Sequence, residues 1–183
     1  MNQTDPLEIL AASGPLPPEQ ICRQVAGIFG VREDEVALLR LEGQFLRFLY
    51  PLPLDKVGAI PLSNSSSVAA RTALLRKAEL FNNFTAVKHA SVFESVPLQP
   101  GEAAAPGAAL RPAQILKLMS VPLICGHEVL GVLQVCRKAN GIKADFTREN
   151  LERLVQVARP VVRMLQQSWA SERAAEAGVP TTG

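Results

Sequence analysis

Cysteine is scarce. The three residues are an odd number and too few for a disulfide framework. Reduced thiols follow, and with them the expectation of a cytoplasmic protein. Histidine is scarcer still, with only His89 and His127. An excess of one charge is also missing: 19 basic against 17 acidic residues leave +2. No strong field therefore draws in nucleic acid or membrane, and neither is expected as a partner. The late arginines Arg148, Arg153, Arg159 and Arg163 are interleaved with glutamates and read as a solvated helix face. No apolar run approaches the roughly 18 residues of a membrane helix. The start, MNQTDPLEIL, lacks a basic stretch followed by an apolar one, so no secretory leader is expected.

What is present is apolar bulk, 48 % of 183 residues, enough for the core of one domain. Residues 5–14 read as a short helix ended by GPLPP. Pro18 suits a helix first turn, and Ile21, Val25, Ile28 and Phe29 follow at helical spacing to a C-cap at Gly30. Strands are expected at 35–41 and 44–50, turning at Glu42-Gly43. That register places Leu41 opposite Gln44 and Leu39 opposite Leu46. One face then holds Ala37, Leu39, Leu41, Leu46, Phe48 and Tyr50. The other holds Val36, Leu38, Phe45 and Leu49 with Arg40 and Arg47.

Residues 51–66 read as a loop and 67–79 as a helix capped by Ser65 or Ser66. Residues 81–97 interleave polar and aromatic side chains, with a short strand near 92–96. Residues 99–113 are an Ala/Pro/Gly-rich inserted loop. A long helix from Thr147 closes the chain, with a kink or break at Pro160. Its apolar stripe continues through Val161, Val162, Met164, Leu165 and Trp169, longer than one sheet face needs. A C-terminal tail follows.

The stretch SVPLICGHEVLGVLQVCRK, residues 120–138, raises the question of chemistry, with Cys125, His127 and Cys136 in one unit. Gly126-His127 as a type II′ turn makes it a hairpin. Cys125 then faces Glu128, Leu123 faces Leu130, Val121 faces Val132, and Pro122 lies opposite Gly131. Cys136 pairs with Lys117, and the two sulfurs lie roughly 26 Å apart, too far for a disulfide or a shared metal. Cys125 and His127 alone are too few for a zinc site. Both faces of the hairpin are apolar, so the sheet is covered on both sides, and a lid over one face leaves room for a ligand.

The sequence from VPLICGHEVLGVLQVCRK to DFTRENLERLVQVA, with an N-terminal helix and a hairpin before it, resembles a GAF domain over roughly residues 17–168. The flanks, 1–16 and 169–183, are then an extension and a tail. The resemblance implies an α+β fold: a six-stranded antiparallel sheet with the N- and C-terminal helices on one face and a loop-and-helix lid on the other. Thr147 would cap the last helix, and Phe146 would anchor it to the sheet. The family's cyclic-nucleotide pattern has Asn-Lys, then Phe, then Asp-Glu. Here Arg137-Lys138, Phe146 and Asn150-Leu151 stand in those places, so Lys138 lacks the implied carboxylate partner and cyclic-nucleotide binding is not carried over. No cysteine lies in 51–113, which argues against bilin attachment. Cys22, Cys125 and Cys136 fall outside the loops that a free-methionine-sulfoxide-reductase-like enzyme would use.

The expected role is thus a non-catalytic, small-molecule-sensing regulatory domain in signal transduction. No kinase, cyclase, phosphodiesterase or DNA-binding segment accompanies it, so a signalling partner is implied. The candidate ligand contacts are Arg47 on the mixed sheet face and Asn82, Asn83, Phe84, Lys88, His89 and Phe93 on the lid. No catalytic or metal-binding residue is assigned, and no cofactor is named. The plainer alternative makes 81–93 a loop whose phenylalanines fill the core edge, and the protein a scaffold that homodimerises through its terminal helices.

Overall fold

The computed structural model describes residues 8, 12, 14–52, 54, 58–84, 114–139, 141 and 143–178. The chain runs α1 (Pro18–Phe29), β1 (Val36–Glu42), β2 (Phe45–Tyr50), β3 (Ile60–Pro61), α2 (Val68–Leu75), β4 (Glu79–Phe81), β5 (Ile115–Cys125), β6 (Glu128–Lys138) and α3 (Arg148–Ala177). The six strands form one antiparallel sheet in the order β3-β2-β1-β6-β5-β4.

Local chemistry explains where the helices begin and end. α1 starts behind Pro17 and Pro18 and stops at Gly30, whose φ of 60° lets the N–H groups of Gly30 and Val31 reach back to Gly27 O and Ala26 O. α2 is capped by Ser67, not by Ser65 or Ser66: its hydroxyl accepts the Ala70 N–H. That helix ends four residues earlier than expected because Arg76 turns left-handed and sends 79–81 into the edge strand β4. α3 opens with a reciprocal cap: Thr147 Oγ1 accepts the Asn150 N–H, and Asn150 Oδ1 accepts the Thr147 N–H. It then runs as one helix through Pro160, so of the expected kink or break the break does not occur. Pro160 is buried, as are Val157, Val161 and Met164 on the same helix.

Two cores form, one on each sheet face. On the first, α1 and α3 bring Ile21, Val25, Leu154, Val161 and Leu165 against Val36, Leu38, Met119, Val121, Leu133 and Val135. On the second, α2 packs Val68, Ala69 and Ala73 against Leu39, Leu46, Phe48, Leu118, Val132 and Cys136, with Phe84. Trp169, expected as an exposed surplus, is half-buried, with the Arg40 guanidinium 4.3 Å above its ring. The stripe beyond Pro160 is thus used inside the chain.

The registers differ from expectation. The first hairpin turns at Gly43-Gln44, not at Glu42-Gly43, so Leu41 pairs with Leu46 and Leu39 with Phe48. A bulge past Leu39 then moves Tyr50 to the α1/α3 face. The second hairpin turns at Gly126, φ 58°, and Cys125 faces Glu128 as expected. One strand then carries an extra residue, so Leu123 pairs with Gly131, Pro122 with Val132, Val121 with Leu133 and Leu118 with Cys136. Gly131 itself lies close against the strand on the other side of β6. A Cβ on Gly131 would stand 1.9 Å from the Leu39 carbonyl oxygen. The missing side chain makes room for β1, not for Pro122.

Candidate functional site

The face under α2 is largely apolar, with a polar cluster set into it. Ser120 and Gln134 are direct partners across β5 and β6, and Thr72 descends from α2. All three are buried. Gln134 Nε2 donates to Ser120 Oγ at 3.1 Å, Ser120 Oγ meets Thr72 Oγ1 at 2.7 Å, and Thr72 donates to Val68 O at 2.8 Å. With the Thr72 proton on Val68 O, Ser120 must be the donor to Thr72. One directed chain therefore runs amide, hydroxyl, hydroxyl, carbonyl. Leaving such a group unpaired here costs about 1–3 kcal/mol, so the chain has a strong reason to stay closed or to exchange one partner for another. Reading the sequence missed these residues. The signal was available: Ser120 and Gln134 are the polar interruptions in the middle of two apolar strands.

A charged cluster closes one end of the sheet. Lys138 is fully buried, with Nζ 3.4 Å from Asp34 Oδ2. Its main-chain N–H donates to Glu35 Oε1 at 2.8 Å. Arg32 Nε reaches Asp34 Oδ1 at 3.0 Å. Lys138 thus has a carboxylate partner after all, supplied from the turn before β1 and not from the last helix. Asn150, which stands in the implied acidic place, serves the α3 cap instead.

The proposed ligand contacts separate. Arg47 is exposed and pairs with Glu42 at 2.9 Å, on the face shared with Arg40 and α3, away from α2. Asn82 clamps the Phe146 main chain, donating from Nδ2 to its O and accepting its N–H at Oδ1, each at 2.9 Å. Phe146 is buried beneath the Arg137 guanidinium. Phe84 is buried in the α2-side core, edge-on to Phe81, and Asn83 is exposed. Lys88, His89, Phe93, the strand near 92–96 and the loop 99–113 lie outside the described residues.

The thiols are separated as well. Cys22 is on the buried face of α1 and Cys136 on the α2 side of the sheet, both fully buried. Burial pushes both well above the ordinary thiol range, which keeps them protonated and poorly nucleophilic. Cys125 is half-buried, with Gln166 Nε2 2.8 Å from its sulfur. Among the described residues no three His, Cys, Asp or Glu side chains gather as a metal site, and no helix is long and apolar enough to cross a membrane.

Several solved structures share this architecture. The GAF domain of an Acinetobacter phosphoenolpyruvate-protein phosphotransferase is 15% identical, with 91% of this chain and 92% of that one covered and a TM-score of 0.64. The GAF domain of a two-component sensor histidine kinase from Bacillus halodurans is 15% identical, covering 85% and 97%, with a TM-score of 0.57. A type II free methionine-R-sulfoxide reductase from Thermoplasma acidophilum is 14% identical, covering 88% and 96%, with a TM-score of 0.52. At these identities the likeness carries the fold alone. No curated protein matches the chain. The GAF domain family model matches residues 19–164, and with the six-stranded sheet between terminal helices and α2 now described, the chain belongs to the GAF domain family.

Proposed function

We propose that the chain is a non-catalytic sensing module that binds a small molecule on the α2 face of its sheet and acts through a partner. The observation that carries this reading is the Gln134–Ser120–Thr72 chain. It is a directed row of hydrogen-bonding groups on a largely apolar face, buried beneath α2, so a ligand that reaches it exchanges partners with the row. No charged side chain belongs to this row, so the ligand chemistry it favours is neutral, with an amide, carbonyl or hydroxyl to exchange. The likeness to a sensor kinase's GAF domain is consistent with a regulatory role. The likeness to a sulfoxide reductase is not enough for catalysis, because Cys22 and Cys136 are fully buried on opposite faces of the sheet and Cys125 stands apart from both. A ligand-free dimerisation scaffold has less support, since Val161, Val162, Met164 and Leu165 are buried within the chain.

Native mass spectrometry of the gently purified protein, beside its denatured spectrum, tests the reading. The expected result is an adduct that is lost on denaturation and at least tenfold weaker in Ser120→Val. A ligand at about a hundred times its Kd also adds about 2.7 kcal/mol of stability. A bare spectrum, together with an unmoved Tm across a library of small neutral metabolites, would sink the sensor reading.

A further inference from the structure

We propose that an apolar groove between α3 and the outer strands docks an acidic, aliphatic segment of a partner protein. This assigns a partner class to the module and rests on the reading above that it acts through one. The groove holds about 280 Å³. Val121, Pro122 and Ile124 form its floor, and Val155, Ala158 and Val162 form its wall. Ile124 and Val155 are 39% and 40% exposed, while the α3 aliphatics Leu154, Val161 and Leu165 are buried.

Charge identifies the occupant. Arg76 and Arg159 border the groove, and no carboxylate lines it. Among the described residues neither arginine has an ion pair. Neighbouring arginines do: Arg71 meets Glu79, Arg148 meets Glu152, and Arg163 meets Glu8. Arg76 ends α2 with a left-handed backbone, φ 52°, which sets this residue at the groove's edge. Two cations around an apolar floor fit an aliphatic anchor with Asp or Glu beside it.

Size and symmetry bear on the occupant. The volume stands at the lower edge of the roughly 300–1,000 Å³ of small-molecule pockets, a size that an aliphatic side-chain anchor also suits. A second copy docked by two-fold symmetry would set this patch against itself, arginines against arginines, with no acidic group to receive them. The groove is also connected to the site on the other face: β5 presents Ser120 to α2 and the next residue, Val121, to the groove.

Random-peptide display on the full chain tests the assignment, followed by fluorescence polarisation with the selected, labelled peptide. The expected peptides join Leu or Ile to adjacent Asp or Glu. Arg159→Glu and Ile124→Asp should each weaken binding tenfold or more, and added salt should weaken it too. Arg76→Gly removes one guanidinium but relaxes the left-handed backbone, so weaker binding with no fall in Tm separates a lost contact from a lost fold. Selection without acidic enrichment, or peptides indifferent to Arg159→Glu and Ile124→Asp, would overturn the proposal. A concentration-dependent dimer abolished by Ile124→Asp would give the groove to a second copy. Displacement of the peptide by decanoate with the same arginine dependence would give it to a small amphiphile. Either result overturns the proposal. Arg159→Glu and Ile124→Asp leave Ser120, Gln134 and Thr72 untouched, so this failure and the failure of the sensor reading remain distinguishable.

Discussion

Replacing Lys138 with methionine removes a charge from inside the protein while keeping most of the side chain's length. The ammonium is fully buried, 3.4 Å from Asp34 Oδ2. Breaking a buried ion pair from one side costs about 3–5 kcal/mol when the remaining charge is left uncompensated. Here Asp34 keeps Arg32 at 3.0 Å, and Arg32 is itself about a third exposed. The remaining carboxylate therefore retains a cation with partial access to water, and the expected loss falls to about 2–3 kcal/mol. At about 2–4 °C per kcal/mol for a chain of this length, Tm should drop by roughly 4–12 °C. Urea denaturation of Lys138→Met, Asp34→Asn and the double variant completes a cycle. The double variant should be less destabilised than the sum of the two, with a coupling of about 1–3 kcal/mol. A coupling below about 0.5 kcal/mol, or a Lys138→Met as stable as the parent, refutes the pairing as a source of stability.

Gly131→Ala would drive a Cβ to 1.9 Å from the Leu39 carbonyl oxygen, and backbone cannot yield as a side-chain tip does. β1 must move away from β6, so a loss of about 3 kcal/mol is expected in urea melts; under about 1 kcal/mol would contradict the close approach. With Ellman's reagent the native chain should show fast reaction at half-buried Cys125 alone and the full three thiols in denaturant. Fast labelling of Cys22 or Cys136 in the folded state would disprove their burial. Alkali should destabilise the fold. Burial raises both thiols and lifts Tyr50 to about 12, so the folded chain keeps protons that the unfolded chain releases from about pH 9. Stability is then full below about pH 9 and falls as pH rises, by about 1.4 kcal/mol per buried thiol at pH 10. A urea midpoint at pH 10 equal to that at pH 8 would contradict the sign.

Much of the fold was legible because its signals are local. Gly126 marks a tight turn, Thr147 a cap, and the α1 stripe a buried face; each depends on neighbours a few residues away. The apolar runs of β5 and β6 announced a sheet covered on both sides. Bulges were not legible, because an extra residue in β6 shows only in its pairing with β5, and strand pairing has no local signal. The partner of Lys138 was hidden for the same reason: Asp34 lies 104 positions away. At the site, the aromatic and amide residues after β4 drew attention for their chemistry, yet Asn82 is occupied by Phe146 and Phe84 by the core. The polar residues that stand on the α2 face look unremarkable in sequence, and only strand pairing brings them together.

A sheet with two apolar faces has a threading problem. Sliding one strand by a single residue exchanges its faces, and here the exchange exposes no grease to water, so hydrophobicity alone would accept the wrong alignment. Rejection has to come from residues that are not interchangeable. Slipped by one, the Ser120 hydroxyl would enter the core beneath α1 and α3, away from Gln134 and Thr72, at about 1–3 kcal/mol for the orphaned group. The polar pair therefore acts as proofreading for the hairpin as it assembles. Converting Ser120 and Gln134 together to aliphatic residues would be expected to leave a sheet that is no weaker but has several alignments of nearly equal energy.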